Sequence, residues 1–199
     1  GLISSTGIYP ASTVINTTCY SNIFDGGRGQ WVQTGLTGQT PSQSPAQLGN
    51  ALLNDGLGNQ WALVISEALN VKSLGAIGNG TQEDAPAFQA AFSKSSTTAI
   101  YAPSGNYRIG SIVNAAGRFS ILGDGIGLTS LDFYSNSYIS FTGTQSEYSS
   151  NGVVNIEKLS LRSATLNPNP AFKGVWTGVT GGTANTLTVK NVSISGING

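Results

Sequence analysis

The chain has 199 residues, enough for one domain or for one domain with a small appendage. Its nine basic and nine acidic residues cancel, so it lacks the surplus of Lys and Arg that phosphate contacts need, and nucleic-acid binding is not expected. It has no His and a single Cys, Cys19, which excludes His-based triads, His metal sites, an internal disulfide and a Cys-caged zinc; no cofactor and no metal are expected.

No apolar run is long enough to span a bilayer, so no membrane insertion is expected. No basic-then-apolar leader opens the chain, and the missing initiator Met predicts a chain trimmed at its start. Hydrophobic residues make up 39% of the chain in short β-branched runs, which suffices to bury a core despite the 27 Gly. This composition predicts an all-β protein with many tight turns. Low charge with abundant Ser, Thr and Asn suits stacked parallel strands, where like charges in register would repel.

In chain order, residues 1–68 read as short strands between Gly-rich turns. Asp25-Gly26-Gly27-Arg28-Gly29-Gln30-Trp31 and Asn54-Asp55-Gly56-Leu57-Gly58-Asn59-Gln60-Trp61 share Asp-Gly, then Gly, then Gln-Trp. Asp-Gly favours a hairpin turn, because positive φ costs Gly little. Two hairpins are predicted, each placing a Trp on the strand after its turn. The plain reading of both Trp residues is packing, with sugar stacking as the alternative. Thr40 to Pro45 is predicted as a loop.

Residues 82–95 give the one convincing helix, with Glu83-Asp84 as N-cap and Pro86 in the first turn. Ala87, Phe88, Ala91 and Phe92 share a face too short to stand alone, so the helix must lie on something larger. From 99 onward only strands are expected: 99–102, 107–109, 119–122, 129–133 and 138–141.

The most informative feature is a self-match. Val154-Asn155-Ile156-Glu157-Lys158-Leu159-Ser160-Leu161 repeats as Leu187-Thr188-Val189-Lys190-Asn191-Val192-Ser193-Ile194. Alternation at period 2 is broken once by two polar residues. A straight strand cannot keep both apolar pairs on one face across that break, but two short strands meeting at a corner can. Units that cannot bury their own face indicate a solenoid, here rungs of a parallel β-helix.

Val71 to Phe92 carries Leu74-Gly75-Ala76, Gly78-Asn79-Gly80, Glu83-Asp84, Ala87 and Gln89-Ala90-Ala91 in order. Ile100-Tyr101-Ala102-Pro103-Ser104-Gly105-Asn106-Tyr107, Ile121-Leu122-Gly123-Asp124-Gly125 and Thr129-Ser130-Leu131 follow. This ordered set resembles the entry segment of the pectate-lyase-like right-handed β-helix proteins, especially bacteriophage tailspikes. The resemblance covers 71–135 by motif and 136–199 by rung pattern. Asn79 and Glu83 stand where the family usually has Asp, and Pro86 is unusual. Residues 20–68 look similar to the small domains that precede such β-helices in phage spikes.

The resemblance implies a right-handed parallel β-helix over 69–199, started by a capping helix at 84–95 and preceded by a small hairpin or adaptor domain over 1–68. It implies a phage tailspike, located in the virion tail. Such a spike is a homotrimer, meets other virion tail proteins through its N-terminal region, and binds and cleaves a bacterial surface polysaccharide. A bacterial polysaccharide lyase or glycosidase of the same fold, without a virion role, is the alternative. A trimer would also bury aromatics that a thin solenoid cannot hide, and some of Trp31, Trp61, Tyr134, Tyr138 and Trp176 are expected on outward faces.

Two glycine clusters, Gly75-x-x-Gly78-x-Gly80 and Gly123-x-Gly125-x-Gly127, lack a following Lys-Ser/Thr and are read as turns rather than phosphate loops. Glycoside hydrolysis needs two carboxylates, and a lyase needs a base and charge neutralisation. Asp25, Asp55 and Asp124 fall in turns, and Glu83 and Asp84 fall at the helix start. Asp132 and Glu157, on separate rungs, are the only catalytic candidates on strands. No substrate-binding residue is singled out. In the family the catalytic carboxylates lie further along the solenoid or between subunits, so this segment is expected to be inactive alone.

Overall fold

The computed structural model describes residues 9–18, 26–41, 51–65, 68–94, 99–115, 119–134, 137–141, 153–163, 175–177 and 186–195. Two kinds of sheet follow one another along the chain. β1 (Val14–Thr17), β2 (Gly29–Gln33), β3 (Leu52–Asn54) and β4 (Gln60–Val64) form an antiparallel sheet in the order β1-β2-β4-β3. Among the described residues every later pairing is parallel.

Those parallel strands stack as rungs with three sides. The first rung has β5 (Ala68–Asn70), a 3-10 turn (Val71–Leu74) and β6 (Asn79–Glu83), and its third side is replaced by helix α1 (Ala85–Lys94). Next come β7 (Ala99–Ala102), β8 (Gly105–Ile109) and β9 (Val113–Ala115), then β10 (Phe119–Gly123), β11 (Thr129–Phe133) and β12 (Ile139–Phe141). β13 (Val153–Ser163) spans two sides in one long strand, followed by β14 (Val175–Thr177), and β15 (Thr186–Ser195) repeats the two-sided form. The architecture is a right-handed parallel β-helix start with a small antiparallel sheet before it.

Inward side chains form columns that run up the axis. On the first side the column is Leu69, Ile100, Ile121, Ile156 and Val189, and on the second it is Tyr107, Leu131, Leu161 and Ile194. The lower members are buried, whereas Val189 and Ile194 on the last described rung are 47% and 55% exposed. A rung buries its apolar face only against a neighbour, and none of the described residues lies over these two.

The repeated segments pair in the register that the sequence predicts, with Val154 opposite Leu187, Ile156 opposite Val189, Leu159 opposite Val192 and Leu161 opposite Ile194. The break between the apolar pairs is a corner. Lys158 has φ 56° and Asn191 has φ 51°, the left-handed conformation at equivalent positions in successive rungs. One left-handed residue turns the chain and resets the alternation, so Ile156 before the corner and Leu159 and Leu161 after it are all buried.

α1 starts later than the sequence suggests, at Ala85, because Glu83 ends β6. Asp84 occupies the N-cap position by its backbone, its carbonyl accepting from Ala87 N at 3.0 Å. Its carboxylate, however, does not cap α1. It accepts from the backbone N–H groups of Ile77 (2.7 Å), Gly78 and Arg108 (3.2 Å). The entry loop and the strand above it bring three backbone N–H groups to this carboxylate. Glu83 supplies the cap instead, accepting from Ala85 N at 3.3 Å. Phe88 is fully buried and meets the Tyr107 ring edge-on at 5.5 Å. Gly78 has φ 69°, and a Cβ there would come within 2.9 Å of the Tyr107 ring, so both conformation and space require glycine.

β3 and β4 form the second predicted hairpin, and β1 pairs antiparallel with β2 around the first, whose Asp25 lies outside the described residues. So does most of the predicted Thr40–Pro45 loop. Trp31 and Trp61 are buried within the chain, as the plain reading of packing expects, so neither is among the aromatics on outward faces. The antiparallel sheet provides an interior that the solenoid alone would lack. Trp61 donates its indole N–H to Asp55 Oδ2 at 3.0 Å and packs edge-on against Tyr9 at 5.2 Å. Tyr134 and Tyr138 are half-buried, and the Trp176 side chain lies outside the described residues.

Candidate functional site

Asp132 and Glu157 occupy different sides of the solenoid. Asp132 is on β11, opposite Arg162 of β13 and Arg108 of β8. Glu157 is on the first half of β13, just before the corner at Lys158. Parallel register stacks residues of one side directly over each other, and the corner keeps these two carboxylates out of one column.

Around Asp132 the second side carries charges of alternating sign in successive rungs: Glu83, Arg108, Asp132 and Arg162. Arg162 grips Asp132 with two parallel bonds, Nε to Oδ1 at 2.7 Å and Nη2 to Oδ2 at 2.8 Å, and the same Nη2 donates to Ser130 Oγ at 2.9 Å. Such fork-to-fork pairs are the strong form of the interaction. The bonds to Asp132 raise the Arg162 guanidinium above its ordinary value. Arg108 stands 3.8 Å from Glu83 and lies over the Tyr134 ring at 4.2 Å. With Asp132 buried and both its oxygens held by one guanidinium, it is arranged as a frame element.

Glu157 has a looser partner, Lys190 of the next rung at 3.9 Å. Both side chains are partly exposed, where such a pair is worth well under about 1 kcal/mol. The remaining described carboxylates are tied to the backbone. Burial pushes the Asp55 carboxyl up, but bonds from Asn59, Trp61 and Leu57 outweigh it and hold the group below the usual range. The Tyr101 hydroxyl (2.6 Å), with Ser104 Oγ and N (2.7 Å each), holds Asp124 low as well. That bond to Asp124 raises the Tyr101 phenol to about 12. Asp84 goes the other way, because its burial outweighs the N–H groups it accepts.

Asp25, Glu67 and Glu147 lie outside the described residues. Among the described residues no group of three His, Cys, Asp or Glu converges as a metal-ligand set, and no helix is long and apolar enough to cross a membrane. Sequence reasoning did not reach the roles of Arg108, Arg162 and Tyr134. The signal was present: aligning 129–133 under 159–163 sets Asp132 beside Arg162.

The sequence has no match among curated proteins. Among solved structures, the catalytic domain of Agl-KA is 19% identical, with 71% of this chain and 28% of that one covered and a TM-score of 0.50. The Pantoea stewartii enzyme WceF, described as glycan biofilm modifying with a bacteriophage tailspike-like parallel β-helix fold, is 15% identical. It covers 100% of this chain and 29% of its own at a TM-score of 0.52. The chain thus spans under a third of the length of these two structures. The family model for rhamnogalacturonase A/epimerase, pectate lyase-like, matches residues 68–199, from β5 through every parallel rung. The parallel register, the three-sided rungs and this match together place the chain in the pectate-lyase-like β-helix family.

Proposed function

We propose that the chain is the N-terminal part of a phage tailspike that attaches to a bacterial surface polysaccharide, capsule or O-antigen, and depolymerises it. In this reading residues 1–68 form an adaptor domain that meets other virion tail proteins, and 69–199 form the capped first rungs of the β-helix. The observation that carries it is the commitment of the described carboxylates to the frame. Asp55, Asp84, Asp124 and Asp132 each accept at least two bonds that fix turns or neighbouring rungs. Asp132 and Glu157 then serve the scaffold through Arg162 and Lys190, and the reacting carboxylates belong to later rungs or to a subunit boundary. The spike assembles as a homotrimer about the solenoid axis. Low charge supports this, while the burial of Trp31 and Trp61 removes part of the aromatic argument.

A bacterial polysaccharide-modifying enzyme without a virion role is the second reading, favoured by the alignment of WceF over the whole chain, antiparallel sheet included. Mass spectrometry of purified virions separates the two. Peptides from 68–94 in fixed proportion to other tail proteins support the spike. Their presence in the culture medium, with none in virions, establishes the bacterial enzyme.

A further inference from the structure

On the first side of the solenoid the outward positions stack as Asn70, Tyr101, Leu122, Glu157 and Lys190. The lower three form the floor of a cleft of about 560 Å³, and the antiparallel sheet forms its opposite wall with Arg28, Gln30 and Leu63. The two walls are tied at the base. Ser73 Oγ donates to the Arg28 carbonyl at 2.6 Å, and Asn70 Nδ2 donates to the Gly26 carbonyl at 2.9 Å. The Tyr101 hydroxyl is anchored on Asp124, which keeps the ring on the floor.

Among the described lining residues the charge is one-sided. Arg28 is the one cation among the described lining residues, no carboxylate is among them, and its exposed guanidinium has no ion pair with any described residue. The other described arginines, Arg108 and Arg162, both have carboxylate partners. A planar guanidinium lining a cleft with a ring, an aliphatic side chain and an amide suits a ligand that has a carboxylate, a hydroxyl and an apolar face.

We propose that this neck cleft binds an acidic oligosaccharide: Arg28 takes a sugar carboxylate, Gln30 meets a hydroxyl, and Tyr101 with Leu122 carries an apolar sugar face. The glycan lies along the column, so that further units run up the first side toward Glu157 and Lys190. The site lies at the junction of the two sheets, and none of its named contacts, Arg28, Gln30, Tyr101 and Leu122, is a candidate catalytic residue. Its ligand class rests on the polysaccharide reading above. Its test measures binding by this chain rather than turnover, so the two fail separately.

The experiment is amide-resolved NMR titration of the chain with tetragalacturonate, with maltotetraose as the neutral control. Saturable shifts at Gly29, Gln30, Asn70 and Ser73 are expected with the acidic probe and not with the neutral one. Arg28→Ala is expected to weaken binding about tenfold, and raised salt to weaken it further. Arg28 is exposed, so the variant folds; Leu122→Trp, which fills the floor, gives a second and independent loss. No saturable shift at these amides, equal binding of the neutral probe, or unchanged affinity in Arg28→Ala would overturn the proposal.

Discussion

The carboxamide of Gln89 pairs with the backbone of Asn114 as a neighbouring strand would. Its Nε2 donates to the Asn114 carbonyl at 2.9 Å, and its Oε1 accepts from the Asn114 N–H at 2.8 Å. β9 is the first described strand of the third side and no described strand lies below it, so one edge would be left open. α1 fills that place, and Gln89 closes the edge with one side chain. Glu83 Oε1 does the same beside it, accepting from Gly110 N at 2.8 Å.

Gln89→Ala removes both bonds and leaves a donor and an acceptor of β9 to solvent. We expect a loss of about 1–2 kcal/mol, read from urea unfolding at constant m. Gln89→Glu keeps the acceptor and loses the donor, so it should fall between the two. A neutral Gln89→Ala would show that the helix shields the edge without this pair.

Phe88 anchors the same cap from the inside. Phe88→Ala should cost roughly 3–5 kcal/mol, because lost transfer energy and an unfilled cavity add. Phe88→Leu should recover more than half. An unchanged melting temperature in Phe88→Ala would contradict the placement of α1 over the core.

The corner at Lys158 predicts an opposite effect. A left-handed Lys is strained, and Asn tolerates that conformation better, as at Asn191 one rung above. Lys158→Asn should therefore stabilise by a few tenths of a kcal/mol, and Lys158→Val should destabilise by about 1–2 kcal/mol. Because Lys158 is exposed, packing contributes little to either change. Thermal unfolding of the pair measures the difference, and equal stabilities would refute the corner.

The rungs were legible in the sequence because their signal is local and repeated. The spacing 154, 156, 159, 161 recurs at 187, 189, 192, 194, and only a corner reconciles it with one interior. The site residues were less legible because their partners are remote. Asp84 sits where a local rule predicts an N-cap, yet its strongest bonds go to Ile77, seven residues back, and to Arg108, twenty-four residues on. Asp132 reads as a free strand carboxylate until Arg162, thirty residues later, is set beside it. Packing was the plain reading of Trp31 and Trp61, and both are buried, in one core with the solenoid residues. The Asp-Gly turns alone do not say which residues they pack against.

Acid should weaken the fold through Asp124. Tyr101 and Ser104 hold its carboxyl below the usual value, so the folded pKa lies under the unfolded one of about 3.9. The stability this supplies is present above that unfolded value and is lost as pH falls through the folded pKa. Asp84, whose carboxyl is raised, contributes with the opposite sign, so Asp124→Asn is the cleaner probe. That variant should lower the melting temperature at neutral pH and flatten its acid limb below about pH 4. An acid limb identical to that of the parent would show that Asp124 is not held low.

We propose that the described carboxylates, Asp132 and Glu157 among them, serve the frame and not catalysis. Assaying polysaccharide cleavage by the purified chain tests it most directly, using capsules from many strains and reading both reducing ends and unsaturated uronates. No turnover above buffer is expected, with Asp132→Asn and Glu157→Gln indistinguishable from the parent in that assay. Robust cleavage by the parent chain that Asp132→Asn or Glu157→Gln abolishes, while the variant still shows cooperative unfolding, would contradict it and move the active site onto these rungs.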